Sequence, residues 1–542
     1  MLNKPRDMTP VVDLTREKGT GPTRGRRPVY VDLLPPCNNA CPAGENVQGW
    51  LALAQAGKFR EAWEILIRDN PLPAVHGRVC YHPCENNCNR QEVDSAVSIH
   101  AVERFLGDLA ADNAWPLPID AEASGKRVLV VGAGPSGLSA AYQLARLGHA
   151  VEIREAGPLP GGMLHFGIPA YRLPRTDLMK EIRRIEKMGV NIVLNHKVED
   201  ALAEKRDGSF EAVFIAIGAH LSKHVDIPAR DAVKVLDAVS LLRGVSTGEA
   251  PLLGRRVVIY GGGNTAMDAA RTVRRLGADE ALIVYRRDRA HMPAHAFEAD
   301  EALTEGVKIK WLTTIKAIEG SDLTVELMRV DDKGRAQPTG QFETLQADAV
   351  VLALGQEADS GFLRKIPEIR FEADGTVIVA ANMMTGYPGI FAGGDMVPSE
   401  RTVTVAVGHG KKAARNIDAW LRGASYDKAG KRPVVDFSML NLPLYSDAAP
   451  SQQRELSPAQ RAGFDEVLAG LSATEAVHEA KRCFSCGNCF ECDNCYAACP
   501  EQAIIKLGPG QRYRYDYAKC TGCAVCFEQC PCHAIEMIPE LA

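Results

Sequence analysis

The sequence predicts an α/β protein. Two Rossmann-like dinucleotide-binding domains should form its centre, with an α-helical, cysteine-bearing domain before them and a small α+β, cysteine-bearing domain after them. Three observations carry this reading. A glycine-rich loop twice separates a buried-strand run from a helix: Gly132–Gly137 after Arg127–Val131, and Gly261–Ala266 after Arg256–Tyr260. The 16 cysteines fall in two groups, five from Cys37 to Cys88 and eleven from Cys483 to Cys532, and the middle of the chain has none. At 542 residues the chain is too long for a single core.

Composition narrows the function classes. The net charge of -5 is mild and argues against a nucleic-acid or membrane-surface protein. No long apolar run predicts a membrane span. Arg24, Arg26 and Arg27 are followed by no apolar segment, so residues 1–30 read as an arm rather than an export signal. Clustered cysteines at short spacing in a large chain point to metal ligation in a reducing compartment, and the expected location is the cytoplasm.

The expected divisions are an arm (1–30), a helical iron–sulfur domain (31–120), a first dinucleotide domain in two parts (121–225 and 341–427), a second dinucleotide domain between them (226–340), a linker (428–480) and a cluster domain (481–542). In the helical domain, Trp50, Leu51, Leu53, Ala54, Ala62, Trp63 and Leu66 share a helical period over 47–68, and Asn70-Pro71 stops it. Residues 98–109 form a second candidate helix.

The first loop, Gly132-Ala-Gly134-Pro135-Ser136-Gly137, is G-x-G-x-x-G between strand and helix. Its first glycine permits the tight turn, the second admits a pyrophosphate, and the third lets the helix pack on the strand, with the helix N-terminus facing the phosphate charge. Glu155 ends the next strand, where an acid holds a ribose hydroxyl. The second loop, Gly261-Gly-Gly263-Asn264-Thr265-Ala266, is G-x-G-x-x-A. Its second strand ends in Arg286 and Arg287 with no acid, which favours a 2′-phosphate and hence NADP(H) over NAD(H). A solvated face or an interface is the alternative for these arginines.

The C-terminal group contains C-x2-C-x2-C-x3-C-P twice: Cys489, Cys492, Cys495 and Cys499, then Cys520, Cys523, Cys526 and Cys530. This spacing holds [4Fe–4S] cubes in bacterial ferredoxins, where the fourth cysteine of each run ligates the other cube. A bacterial ferredoxin-like domain with two [4Fe–4S] clusters is therefore expected. One would be held by Cys489, Cys492, Cys495 and Cys530, the other by Cys520, Cys523, Cys526 and Cys499. Cys483, Cys486 and Cys532 are left over, as a third site, a shifted frame or spare thiols. From Cys483 onward the chain has seven acids against four bases, a mildly acidic surface that suits either a redox partner or solvent.

Two stretches resemble the FAD half of flavoproteins with two dinucleotide domains: Gly161-Gly162-Met163-Leu164, and residues 385–395, which end in Gly394-Asp395. The resemblance places FAD in the first domain, with Asp395 at its ribityl chain. Residues 161–174, 261–268 and 285–293 resemble the glutamate synthase small-subunit family, which includes the flavin half of dihydropyrimidine dehydrogenase and the large subunit of NADH-dependent ferredoxin:NADP oxidoreductase. The likeness spans about residues 31–425 and implies NAD(P)H in the second domain and clusters at the N-terminus. Cys37, Cys41, Cys80, Cys84 and Cys88 match that family's cluster domain, but two cysteines usual ahead of the first pair are missing. One N-terminal [4Fe–4S] cluster is expected on Cys41, Cys80 and Cys84, with Cys37, Cys88 or Glu103 as fourth ligand. Zinc is the alternative for a site of four thiolates.

Together these features describe an NAD(P)H-dependent FAD/iron–sulfur oxidoreductase that joins two-electron to one-electron carriers. The cofactors do the chemistry, so no catalytic side chain is expected. No C-x-x-C lies in the nicotinamide domain, which excludes a disulfide relay there. The expected assembly is a hetero-oligomer with a redox partner subunit carrying iron–sulfur clusters, of the 2-oxoacid:acceptor oxidoreductase type, or with ferredoxin. The alternatives are a glutamate synthase small subunit, a free ferredoxin:NADP oxidoreductase, and a non-catalytic electron-wiring or assembly subunit.

Overall fold

The computed structural model describes residues 24–222, 227–230, 234–427 and 430–540. The first dinucleotide domain is a five-stranded parallel sheet in the order Ile390–Ala392, Ala212–Ile215, Arg127–Val131, Ala150–Arg154, Asn191–Val193. Its central strand is buried from Val128 onward, as expected for β-branched residues covered on both faces. The helix Pro135–Arg146 follows the glycine loop, and Pro135 in its first turn is pre-set for helix and lacks an N–H that would go unpaired. The long helix Val403–Leu421 packs beside it.

The second dinucleotide domain is also a five-stranded parallel sheet, in the order Lys308–Lys310, Glu280–Val284, Arg256–Tyr260, Ala349–Leu352, Lys234–Asp237. This corrects one expected boundary. Ala349–Leu352 was assigned to the returning half of the first domain, but it pairs with Arg256–Tyr260 and completes the second sheet. The antiparallel strands Thr313–Glu319, Asp322–Val330 and Ala336–Gln346 lead up to it.

The N-terminal domain is helical, as expected. Trp50, Leu51, Ala54, Ala62, Trp63 and Leu66 are buried in its core, and Leu53 is half-buried. The apolar stretch forms two helices, Val47–Ala54 and Phe59–Leu66, with Gly57 in the left-handed region between them. The second candidate helix runs over Ile99–Asp112. Glu181 of the flavin domain accepts the Ala74 and Val75 N–H groups, both at 3.1 Å, and so joins that domain to the helix Pro73–Val79.

Two further expectations change. Residues 1–23 of the expected arm lie outside the described residues, but Arg26–Tyr30 is a strand that pairs antiparallel with Ile535–Pro539 and completes the cluster domain. Arg24 fixes this pairing by donating to Glu540 at 2.9 Å and to the Cys520 carbonyl at 2.8 Å. The expected linker is a packed strap. Its helix Ala473–Lys481 lies against Ile99–Asp112, and its buried Glu479 accepts the Ser98 N–H at 3.0 Å.

Candidate active site and cluster sites

A cleft of about 670 Å3 opens between the two dinucleotide domains. From the first domain it is lined by Gly132, Gly134, Pro135, Ser136 and Glu155, by Gly162, Met163 and Leu164, and by Gly394 and Asp395. Gly137 lies beneath the loop, where a Cβ would come 2.0 Å from the Gly132 carbonyl oxygen. A Cβ on Gly134 would meet no protein atom within 4 Å, so this position faces open space, as close backbone approach to a phosphate requires. The Ser136 hydroxyl is buried without a hydrogen-bond partner and lines the cleft. Glu155 accepts the Ala133 and Gly157 N–H groups, both at 2.8 Å, which clamps the loop while its carboxylate borders the cleft. Burial pushes Asp395 up to about 6, against the pull of Arg401. An orphaned hydroxyl, an open glycine and a desolvated carboxylate all facing one cleft suit a polyhydroxylated dinucleotide such as FAD.

The second loop opens on the same cleft through Asn264 and Thr265. Gly261 has φ +150°, and a Cβ there would lie 2.2 Å from the Ala353 carbonyl oxygen. Gly263 faces open space like Gly134, and Ala266 is fully buried at the base of the helix Asn264–Arg275. Arg286 is exposed and Arg287 half-buried at the end of the strand Glu280–Val284, away from the main cleft. Arg287 Nε donates to the Tyr285 hydroxyl at 2.8 Å, which in turn donates to the His291 carbonyl at 2.8 Å, so the post-strand turn is ordered.

Arg172 ties the two halves together. Its guanidinium donates to both Asp268 oxygens at 2.9 Å and pairs with Glu298 at 2.5 Å. Sequence reasoning missed it, and it missed other cleft residues, among them Tyr81, Lys197, Arg243 and Arg401. Most sit on loops outside any pattern. Tyr81 carries a signal, because it lies between Cys80 and Cys84.

The C-terminal cysteines gather in two groups. Cys499 joins Cys520, Cys523 and Cys526 around one small cavity. Cys489, Cys492 and Cys495 sit close enough to Cys530 for its charge to push each of them upward, after burial as the main cause. Cys532 donates to the Asn488 carbonyl at 3.2 Å and lies beside that set. At the N-terminus, Cys41, Cys80 and Cys84 neighbour one another, and Glu103 faces both Cys41 and Cys80. Burial pushes the Cys80 thiol up to about 12. Thiols this desolvated become ligands once a metal removes their protons outright. Cys37 and Cys88 open on a different cavity. Among the described residues, the groups of three or more His, Cys, Asp or Glu donor atoms lying within 4.8 Å of one another contain no cysteine. A zinc site with Zn–S of about 2.3 Å needs sulfurs about 3.8 Å apart. The wider sulfur spacing suits a cube.

Residues 126–410 match the family described as pyridine nucleotide-disulphide oxidoreductase, and residues 31–115 match dihydropyrimidine dehydrogenase domain II, 4Fe-4S cluster. The β subunit of an NADP(+)-dependent formate dehydrogenase from Moorella thermoacetica is 37% identical, the alignment covering 83% of this chain and 70% of that one. The NADPH-Fe(3+) oxidoreductase subunit β of Geobacter sulfurreducens is 34% identical, covering 83% and 75%. The glutamate synthase [NADPH] small chain of Escherichia coli K12 is 33% identical, covering 71% and 89%. The chain belongs to the pyridine nucleotide-disulphide oxidoreductase family, within its glutamate synthase small-chain-like branch.

Proposed function

We propose that this chain is the NADP-linked flavin subunit of a larger redox enzyme. It exchanges electron pairs with NADP(H) in the cleft and passes single electrons through cysteine-held clusters to a partner subunit. One observation carries the proposal. Cys80 accepts a hydrogen bond from Thr404 at 3.0 Å, while its neighbour Tyr81 and the adjoining Thr402 and Val403 line the flavin cleft. The cleft and the first cluster site thus share a wall. When bound, FAD accepts a pair of electrons from NADPH and releases them singly to a cluster.

In this reading Gly132, Gly134, Ser136 and Glu155 hold the FAD pyrophosphate and adenosine ribose, and Asp395 its ribityl chain. Asn264 and Thr265 present the second helix N-terminus to NADP(H), and Arg286 and Arg287 hold its 2′-phosphate. Cys41, Cys80 and Cys84 hold the N-terminal cluster, with Glu103 as the fourth donor. Glu103 is buried and accepts an N–H from Asn70 at 2.7 Å. The two C-terminal cubes follow the crossed ligand sets.

The partner is a catalytic oxidoreductase subunit that takes up or supplies single electrons. The β-subunit relatives favour an assembly of the formate dehydrogenase or NADPH-Fe(3+) oxidoreductase type, and a 2-oxoacid:acceptor enzyme rests on the fused cluster domain alone. The C-terminal cluster domain is surplus to a glutamate synthase small subunit and suits wiring into another subunit. No described helix is long and apolar enough to cross a membrane. A native pull-down with subunit identification tests the partner. Recovery of a clustered catalytic subunit supports the reading, and recovery of a glutamate synthase large subunit overturns it. The R286A/R287A variant tests the nucleotide site. KM for NADPH should rise about tenfold or more while KM for NADH stays within about twofold, a loss of one or two charge-assisted phosphate contacts. Equal losses for both nucleotides would remove the 2′-phosphate assignment.

A further inference from the structure

Five cysteines fall outside the three sites described so far, and four of them come together. Cys37 and Cys88 belong to the N-terminal helical domain. Cys483 and Cys486 lie in the turn after the helix Ala473–Lys481, next to the C-terminal domain. All four line one small cavity, closed by Leu51 and Phe484. It matches in size the cavity ringed by Cys499, Cys520, Cys523 and Cys526. We propose that Cys37, Cys88, Cys483 and Cys486 ligate a further [4Fe–4S] cluster at the seam between the N-terminal and C-terminal cluster domains.

The seam is a built site. The Ser485 N–H points at Cys483 Sγ at 3.4 Å, and Asn89 Nδ2 at Cys486 Sγ at 3.5 Å. The two ferredoxin-type sets carry the same feature, with Ala503 N–H 3.3 Å from Cys499 Sγ and Ala534 N–H 3.2 Å from Cys530 Sγ. Such donors stabilise cluster-bound sulfur. Two buried arginines hold the seam together. Arg90 donates to the Arg482 carbonyl at 3.1 Å and lies over the Phe484 ring at 4.9 Å, while Arg482 donates to the Ala96 carbonyl at 2.9 Å. Both are ion-paired within the seam, Arg90 with Asp94 at 2.5 Å and Arg482 with Asp94 at 3.2 Å and Glu479 at 2.9 Å. The Leu33 N–H donates to the Gly487 carbonyl at 3.0 Å and closes the seam from the other side.

The placement gives the site a role, which rests on the electron-transfer reading above. Tyr445 packs at a tilt on Phe484, with ring centroids 4.2 Å apart, and lies near Cys483 and Cys486 as well as Cys530 and Cys532. Cys37 also lies near Cys84 of the first cluster site. A cube in the seam connects the flavin-proximal cluster to the ferredoxin-like pair. It takes one electron from one neighbour and gives one to the other. The C-x2-C of the tail thereby supplies the two thiolates that the N-terminal domain lacks.

The test uses anaerobically purified full-length protein. Four cubes predict about sixteen iron and sixteen sulfide per chain, and three predict about twelve. In C486S and C88S, made separately, about four irons and the same electron paramagnetic resonance signal should disappear. NADPH should then no longer reduce the C-terminal clusters, although dithionite still does. Retained FAD reports an intact fold. Full iron and unchanged spectra in both variants, or zinc bound in place of iron at this site, would overturn the proposal. If either variant loses FAD, the wild-type count decides alone: about sixteen supports the site and about twelve overturns it. Protein with about twelve irons and an NADPH-reducible flavin fails this inference only. Protein with neither flavin nor iron fails the function from which it starts.

Discussion

G134V is expected to empty the flavin cleft without harming the fold. Gly134 precedes the helix Pro135–Arg146 with φ -76° and ψ -178°, a conformation open to any residue. A Cβ there meets no protein atom within 4 Å, so valine is expected to cost the apoprotein about 1 kcal/mol, the scale of a changed N-cap. It does occupy the space through which the dinucleotide phosphate must approach the loop. FAD content should fall at least tenfold, measured as flavin released per chain, while thermal unfolding of apoprotein stays within a few degrees of wild type. G137V is the contrasting case. Its Cβ would collide with the Gly132 carbonyl at 2.0 Å, so fold and cofactor should fail together. Full FAD occupancy in G134V would show that the phosphates do not pass over this loop.

The second large effect is expected at Arg172. It lies in the flavin domain, and its two carboxylate partners lie in the nicotinamide domain on the helices Asn264–Arg275 and Ala296–Thr304. Removing one member of a buried ion-paired group leaves the others desolvated, which costs about 3–5 kcal/mol. R172M should lower stability by that order in urea unfolding. The triple variant R172M/D268N/E298Q should recover most of the loss, because no buried charge is left unpaired. Burial pushes the Glu298 carboxyl up and Arg172 pulls it down. In R172M only the weaker pull of Arg271 still opposes that push. The folded state then binds a proton that the unfolded state releases, so the stability of R172M should fall as pH rises above the ordinary carboxylate range. A loss that is flat with pH and unchanged in the triple variant would mean that Arg172 acts through packing alone. Because the group spans the cleft, NADPH-dependent dye reduction should drop with stability in R172M and return in the triple variant.

Much of this architecture was legible in the sequence because the relevant constraints are local. A glycine that must admit a phosphate, the acid or arginine at the next strand end, and three cysteines within seven residues are fixed by neighbouring backbone. What was not legible depends on distant partners. Ala349–Leu352 reads as a buried parallel strand in either domain, since an apolar β-branched run does not say which sheet edge it joins. Arg26–Tyr30 looked like an arm because its partner strand, Ile535–Pro539, lies at the other end of the chain. Cys483 and Cys486 stayed unassigned, as a third site, a shifted frame or spare thiols, for the same reason. Their spacing fits half a site, and the other half stands in the N-terminal domain. Arg172 lies within the stretch 161–174 that carries the family resemblance, but nothing local shows that its carboxylate partners stand in the other domain.

The central claim is that electrons pass from NADPH through FAD to the cysteine-held clusters in that order. Anaerobic stopped-flow mixing of the holoprotein with NADPH tests it most directly, with flavin bleaching and the broad iron–sulfur absorbance followed together and quenched samples checked by electron paramagnetic resonance. The account predicts that flavin bleaches first and that cluster reduction follows at a rate independent of NADPH concentration. Cluster reduction in FAD-depleted protein, or flavin reduction that never reaches a cluster, would contradict it.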